Sequence, residues 1–238
     1  MKKLNLIHYL NQNKNPFLKA AISGLAVLLV SGSMILLVNG LTTHAELPYG
    51  FTTIILALEF AGSNFELSGI VGSLSATDIQ ILTRQIWVDF LFLICYSTFL
   101  YLFLLTIGQI IQVPRYFKYA GLSFVVGLAD VVENILLLRA LEGHQLVIIL
   151  LQMATWTKWL LMAILILMIG RFLITTGRVL DKMLGVACYA PFVVGCVAIF
   201  KGGPLTEVFA RLFFLLFPLL ILYTFFPGIR RNSDAIQT

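Results

Sequence analysis

One stretch constrains this chain more than any other, the run from Gly121 to Arg139, GLSFVVGLADVVENILLLR. It is long and apolar enough to cross a bilayer, yet it carries Asp130, Glu133 and Asn134 within two turns. Charged side chains near the middle of a spanning helix cost about 2.5–3.5 kcal/mol each on insertion scales. The fold must therefore bring compensating polar groups to the same depth from other segments.

Composition points the same way. The chain has 238 residues, 60% of them hydrophobic and only 11% charged, with a mean hydropathy of +0.97. Several apolar runs exceed the roughly 20 residues that span a hydrocarbon core of about 30 Å, so a soluble globular fold is excluded. The net charge of +5 reads as membrane topology. No basic-aromatic patch lies outside the expected spans, and nucleic acid is not an expected partner.

Cys95, Cys188 and Cys196 all fall in expected spans. Cys188 and Cys196, placed on one helix about 12 Å apart, are too distant for a disulfide. His8, His44 and His144 lie outside the spans, and no spacing resembles a metal-ligand set. Neither a metal nor any other cofactor is expected.

Read in order, the apolar runs predict six spans at about 17–40, 86–112, 119–141, 146–170, 183–200 and 207–226. The basic start at Lys2, Lys3 and Lys14 resembles a signal peptide. The apolar run that follows is too long for one, and 17–40 is read as a retained span. Its Gly24, Ser31, Gly32 and Ser33 offer a flat packing face. Residues 41–85 form an extracytoplasmic helical loop and a possible protein-docking segment. Within it, residues 51–62 are too short to cross and are expected to be re-entrant, interfacial or folded over the bundle. Gly62 is a candidate helix end, while Ser63 to Glu66 and Ser75 to Asp78 have capping-box spacing. A long helix is expected from near Ala76. Pro114 closes the second span, Glu142-Gly-His-Gln145 is a hairpin loop, Pro191 predicts a kink in the fifth span, and Thr206 is a candidate N-cap. Pro227-Gly228 ends the sixth span, which is apolar all round.

The fold class expected is all-α, a polytopic helical bundle forming a single membrane domain over residues 1–238. Eleven Lys and Arg fall on the side of the termini, including Arg115, Lys118, Arg171, Arg178, Lys182, Arg230 and Arg231, against four on the other side, Arg84, Arg139, Lys201 and Arg211. The positive-inside rule then places both termini in the cytoplasm of a bacterial inner membrane protein.

Short hairpin loops let depths be matched between neighbouring spans. Folding about Gly143-His144 sets Asp130 level with Trp159, within a turn of Lys158, and Asn134 level with Thr155. Gln152, Thr155 and Lys158 share one face. Folding about Arg115-Tyr116 sets Tyr96, Ser97 and Thr98 level with Glu133 and Asn134, and Asp89 level with Glu142 near Arg84 and Arg139. These matches pair Lys158 with Asp130 and the arginines with Asp89, and they leave Glu133 without an obvious cation. Glu59 would cap the cluster from above.

Each candidate has a plainer role. Asp130 and Lys158 fit a structural ion pair that fixes helix register. Asn134, Gln152 and Thr155 fit interhelical glue. Tyr96, Tyr101, Trp156 and Trp159 fit packing, and Glu59 fits a solvated loop position. Glu133 is the hardest to explain structurally.

Leu56-Ala-Leu-Glu-Phe-Ala-Gly-Ser63, Asp89-Phe-Leu-Phe-Leu-Ile-Cys-Tyr96 and Asp130-Val-Val-Glu-Asn134 together resemble an LE-x-AGS, DF-x-F-x-x-x-Y, D-x-x-EN pattern. That pattern belongs to a family of bacterial multi-pass membrane proteins to which no activity is attached. The resemblance covers 56–141 and implies that Glu59, Asp89, Tyr96, Asp130, Glu133 and Asn134 form one constellation.

Three functions compete. One is transport or permeation, with the cluster binding a proton, cation or small polar solute. The second is an intramembrane lipid-modifying enzyme using Glu133 or Asp89 as acid/base with Tyr96 or Lys158 assisting. The third is a non-catalytic scaffold. No nucleophile-base pair, metal set or phosphate-cradling loop supports the enzyme.

Overall fold

A computed structural model describes residues 15–41, 47–48, 50–144, 148–175 and 178–226. Lys2, Lys3, His8, Lys14, His44, Gln145, Leu146, Pro227, Gly228, Arg230 and Arg231, invoked above, lie outside the described residues. The described residues contain helices and turns and no strand. The helices are α1 (Leu18–Val38), α2 (Ile54–Glu59), α3 (Asn64–Ser73), α4 (Ala76–Ile111), α5 (Arg115–Leu141), α6 (Ile148–Thr175), α7 (Val179–Ala187), α8 (Ala190–Lys201) and α9 (Pro204–Phe225).

Six of these segments are long and apolar enough to cross a membrane: α1, α4, α5, α6, the pair α7–α8, and α9. The protein is an all-α multi-pass membrane bundle. Its spans form a ring in which α1 packs on α4, α4 on α5, α5 on α6, α6 on α7 and α8, α8 on α9, and α9 back on α1.

Local sequence chemistry explains where the elements begin and end. Ser63 Oγ accepts from Glu66 N at 3.1 Å, and Glu66 Oε2 accepts from Gly62 N at 2.7 Å, so a capping box starts α3. Ser75 caps α4 through Asp78 N at 3.1 Å. From there α4 runs 36 residues, about 54 Å at 1.5 Å per residue. That exceeds the hydrocarbon thickness, and its first turns stand beside α2 and α3 at one end of the bundle.

The turn between α4 and α5 differs from the expected one. Gln112 takes a left-handed conformation with φ 55° and reverses the chain, and Pro114 serves as the N-cap of α5. The fold-back therefore centres on Gln112 and not on Arg115-Tyr116. This slides α4 against α5 by about seven residues, or about 10 Å. A side chain on Gly127 would meet Ser97 Oγ at 3.3 Å, and one on Gly108 would meet Tyr116 Cβ at 3.1 Å, which sets the register.

Other boundaries shift for identifiable reasons. The fourth spanning helix continues beyond Gly170 to Thr175, because Gly170 is a crossing point: a Cβ there would lie 2.6 Å from both Cys188 Cβ and Gly185 O. The kink expected near Pro191 is a two-residue interruption at Cys188–Tyr189, both still in right-handed helical conformation, with α7 ending at Ala187 and Pro191 in the first turn of α8. Cys188 sits at that interruption and Cys196 on α8, so they do not share one continuous helix, and both are free. Gly203 precedes Pro204 at the start of α9, which places Thr206 inside the first turn rather than at the cap. Of the expected packing face, Gly24 makes a close approach, to Ile221 of α9, and beside it Ser23 Oγ donates to Cys95 O of α4 at 3.2 Å. Gly32 has open space beside it, and Ser31 and Ser33 donate to their own helix at Leu28 O and Val30 O. One side of α9 is buried through Phe209, Phe213, Leu216 and Leu220, and the other exposes Phe214, Leu215, Leu219 and Leu222.

The short helix α2 is folded into the end of the bundle. Ile54, Leu56, Ala57, Leu58 and Glu59 are all buried, and α2 packs on α5 and α6. It is held there by a latch. Glu207 of α9, itself buried, accepts from Thr52 N and Thr52 Oγ1, each at 2.6 Å, and contacts Arg211 at 2.5 Å.

Candidate functional site

Lys158 on α6 is buried at 5% exposure, and three carboxylates from two other helices surround it. Its Nζ lies 2.6 Å from Glu133 Oε2, 3.1 Å from Asp130 Oδ1 and 3.4 Å from Glu59 Oε2. Asp130 and Glu133 are one turn apart on α5 and share a face, as the i, i+3 spacing requires. Glu59 is the last residue of α2 and enters from the end of the bundle. The six residues that the resemblance groups as one constellation lie in this neighbourhood with Lys158.

The remaining members hold the carboxylates. Tyr96 Oη donates to Asp130 Oδ2 at 2.7 Å, and Asn134 Nδ2 donates to Asp89 Oδ2 at 2.6 Å. Trp159 Nε1 donates to Glu59 Oε2 at 3.0 Å. The Lys158 ammonium also lies 5.0 Å from the centre of the Trp159 ring, within cation–π range.

Several expectations are corrected here. Glu133 does have a cation, and it is the nearest carboxylate to Lys158. Depth matching missed this because it set Lys158 level with Asp130 alone, while a lysine stem reaches more than one turn. Asp89 is bonded by Asn134, and Arg84 and Arg139 are exposed. Arg84 is five residues from Asp89 and so points to another side of α4. Ser97 donates to Leu93 O on its own helix at 2.5 Å, and the register places it against Gly127 instead of Glu133.

Gln152 and Thr155 share the polar face of α6 but stop short of the carboxylates. Thr155 Oγ1 donates to Glu59 O at 3.1 Å, and Gln152 Nε2 reaches Ala61 O and Gly62 O at 3.2 and 3.1 Å. These carbonyls lie at the C-terminus of α2, where a helix leaves acceptors without internal partners. The two residues therefore dock α2, and docking α2 delivers Glu59.

Two participants were not legible as such. Trp159 was read as packing, although the need of a buried indole N–H for an acceptor was a usable signal. Gln85 was passed over at the edge of the loop. It is buried, and its Oε1 has no hydrogen-bond partner.

The charge balance is unequal. Glu59, Asp89, Asp130 and Glu133 face a single ammonium, so ionising all four would leave three negative charges uncompensated in a low-dielectric setting. Glu133 is at 0% exposure and its Oε1 has no hydrogen-bond partner. Among the described residues, no three His, Cys, Asp or Glu converge as a metal set. The ammonium occupies the space between the carboxylates.

Comparison with known protein families, with curated proteins and with solved structures finds no match.

Proposed function

We propose that this multi-pass membrane protein binds protons at the Lys158 cluster and passes them as part of transport or permeation across the membrane. The observation that carries this reading is Glu133, fully buried with one carboxylate oxygen unpartnered, in a group of four carboxyls that share one ammonium. Neutrality needs further positive charge, and protons supply it without displacing Lys158. A carboxyl inside a membrane domain with this imbalance is a functional candidate on energetic grounds. Arg115 and Lys118, together with Arg171, Arg178 and Lys182, support cytoplasmic termini. The α2–α3 end then faces outward.

The test is proton flux in proteoliposomes. Glu133→Gln and Asp130→Asn, each verified as folded, are expected to abolish or sharply slow a flux that the wild type supports. Unchanged flux in both variants would overturn the assignment.

A second reading, a register lock for a scaffold protein, is favoured by one observation. Lys158 joins α6 to both α2 and α5, as a structural clamp would. In that case the same variants lower thermal stability and the wild type carries no flux.

A further inference from the structure

One stripe of α4 runs through Asp78, Leu82, Gln85, Asp89, Leu93 and Tyr96, at the three- and four-residue spacing of a single helix face. Every member of it is buried except Asp89, which is partly exposed. The lipid-facing stripe is on the opposite side, where Trp87, Leu91 and Ile94 are 63%, 53% and 58% exposed. Exposure at Asp89 therefore does not come from facing lipid. The Asp89 side chain lies on the inner side of α4, where Asn134 bonds its carboxylate and Asp130 and Lys158 are close enough to act on it electrostatically.

One turn toward the α2–α3 end lies Gln85, 7% exposed, with its carbonyl oxygen unpartnered. A buried amide oxygen without a protein partner costs about 1–3 kcal/mol unless water or an ion satisfies it. Gln85 and Asp89 thus set an unpartnered acceptor and a partly exposed carboxylate in line, four residues apart, above the buried Glu133 and, one turn deeper, Asp130. Inward from Asp89, the α5 residues Asn134, Glu133 and Asp130 are all buried, at 4%, 0% and 2% exposure.

We infer that Gln85 and Asp89 line a hydrated mouth that admits water-borne protons to the Lys158 cluster from the α2–α3 end of the bundle. The inference deepens the proton reading and rests on it for the identity of what passes. The mouth itself is a separate physical claim, and it can be tested without any flux.

Cysteines are placed singly at Gln85, Asp89, Leu91 and Glu133 in a background from which Cys95, Cys188 and Cys196 have been removed. The full-length protein in proteoliposomes is then treated with a membrane-impermeant, positively charged methanethiosulfonate. Thiol reactivity requires both access and thiolate formation, which lipid denies, so Gln85→Cys and Asp89→Cys are expected to react about tenfold or more faster than Leu91→Cys. Glu133→Cys is expected to resist labelling. Gln85→Cys leaves every charge in place, so it reports on the mouth even if Asp89→Cys fails to fold. Rates at 85 and 89 no higher than at 91 would overturn the mouth. Flux abolished by Glu133→Gln together with unlabelled 85 and 89 would overturn the mouth while sparing the proton reading. Rapid labelling in a protein that carries no proton flux would uphold the mouth and overturn the proton reading.

Discussion

Lys158 Nζ lies closer to Glu133, at 2.6 Å, than to Asp130, at 3.1 Å. The ammonium is thus the common counter-charge of a pair on one helix face, with Glu59 as a third partner. Removing it strands all three carboxylates. Lys158→Met is expected to destabilise the protein by about 3–5 kcal/mol, the usual cost of leaving buried charge unpaired. Glu133→Gln removes a charge from the crowded side and is expected to cost far less. The Lys158→Met/Glu133→Gln double variant should regain part of the loss. Thermal unfolding in detergent reads the order, and equal midpoints for the two single variants would contradict it.

Tyr96 and Asp130 link α4 to the Asp130–Glu133 face of α5 at 2.7 Å. Tyr96→Phe keeps the ring against Phe92 and Phe217 and removes only the hydroxyl. A hydrogen bond to a charged acceptor contributes about 1.5–3 kcal/mol, and a loss of that size is expected. A double-mutant cycle with Asp130→Asn checks the assignment, because additive effects would mean that the two groups do not interact.

The latch between Thr52 and Glu207 predicts a local effect. Glu207→Ala removes the acceptor of the exposed Thr52 N–H and hydroxyl, at about 0.5–1.5 kcal/mol per hydrogen bond. Hydrogen exchange at the α2 amides, residues 54–59, should then quicken by roughly ten- to a hundredfold while the α5 and α6 amides remain unchanged. A uniform change across the bundle would show that Glu207 supports the whole fold and not α2 in particular.

Gly24 and Gly32 belong to the same helix and are expected to respond in opposite ways. A Cβ on Gly24 would sit 2.8 Å from Ile221 Cγ2, whereas Gly32 has nothing within 4 Å. Gly24→Ala should cost about 1–3 kcal/mol through overpacking, and Ile221→Ala should relieve it. Gly32→Ala should be neutral or slightly stabilising, since alanine favours helix. Equal unfolding midpoints for the two glycine variants would refute the contact.

Much of this was legible in the sequence. Apolar run lengths mark the spans, Ser63 and Ser75 mark the starts of α3 and α4, and the i, i+3, i+4 spacing places Asp130, Glu133 and Asn134 on one face. The α5–α6 depth match brought Lys158 to Asp130, and the two lie 3.1 Å apart. The α4–α5 match failed because a left-handed Gln112 is not announced by its residue type. That single backbone conformation moved Asp89 from the arginines to Asn134. The reach of Lys158 to Glu133 and the bond from Trp159 to Glu59 depend on side-chain direction across helices, which periodicity does not encode.

The closed ring of spans also orders events during synthesis. Every group of the Lys158 cluster belongs to α2, α4, α5 or α6, so its charges are complete once residue 159 has been made. Yet α1 finds its second neighbour only in α9, through Gly24 on Ile221 and Phe17 on Tyr223, and α2 is pinned by Glu207, 155 residues after Thr52. A nascent chain thus inserts its most polar helix and its counter-charge long before the wall that seals them off exists. During that interval the ion pairs between α5 and α6 act as a provisional fastening, and the last helix to emerge converts an open arc into a barrel of helices.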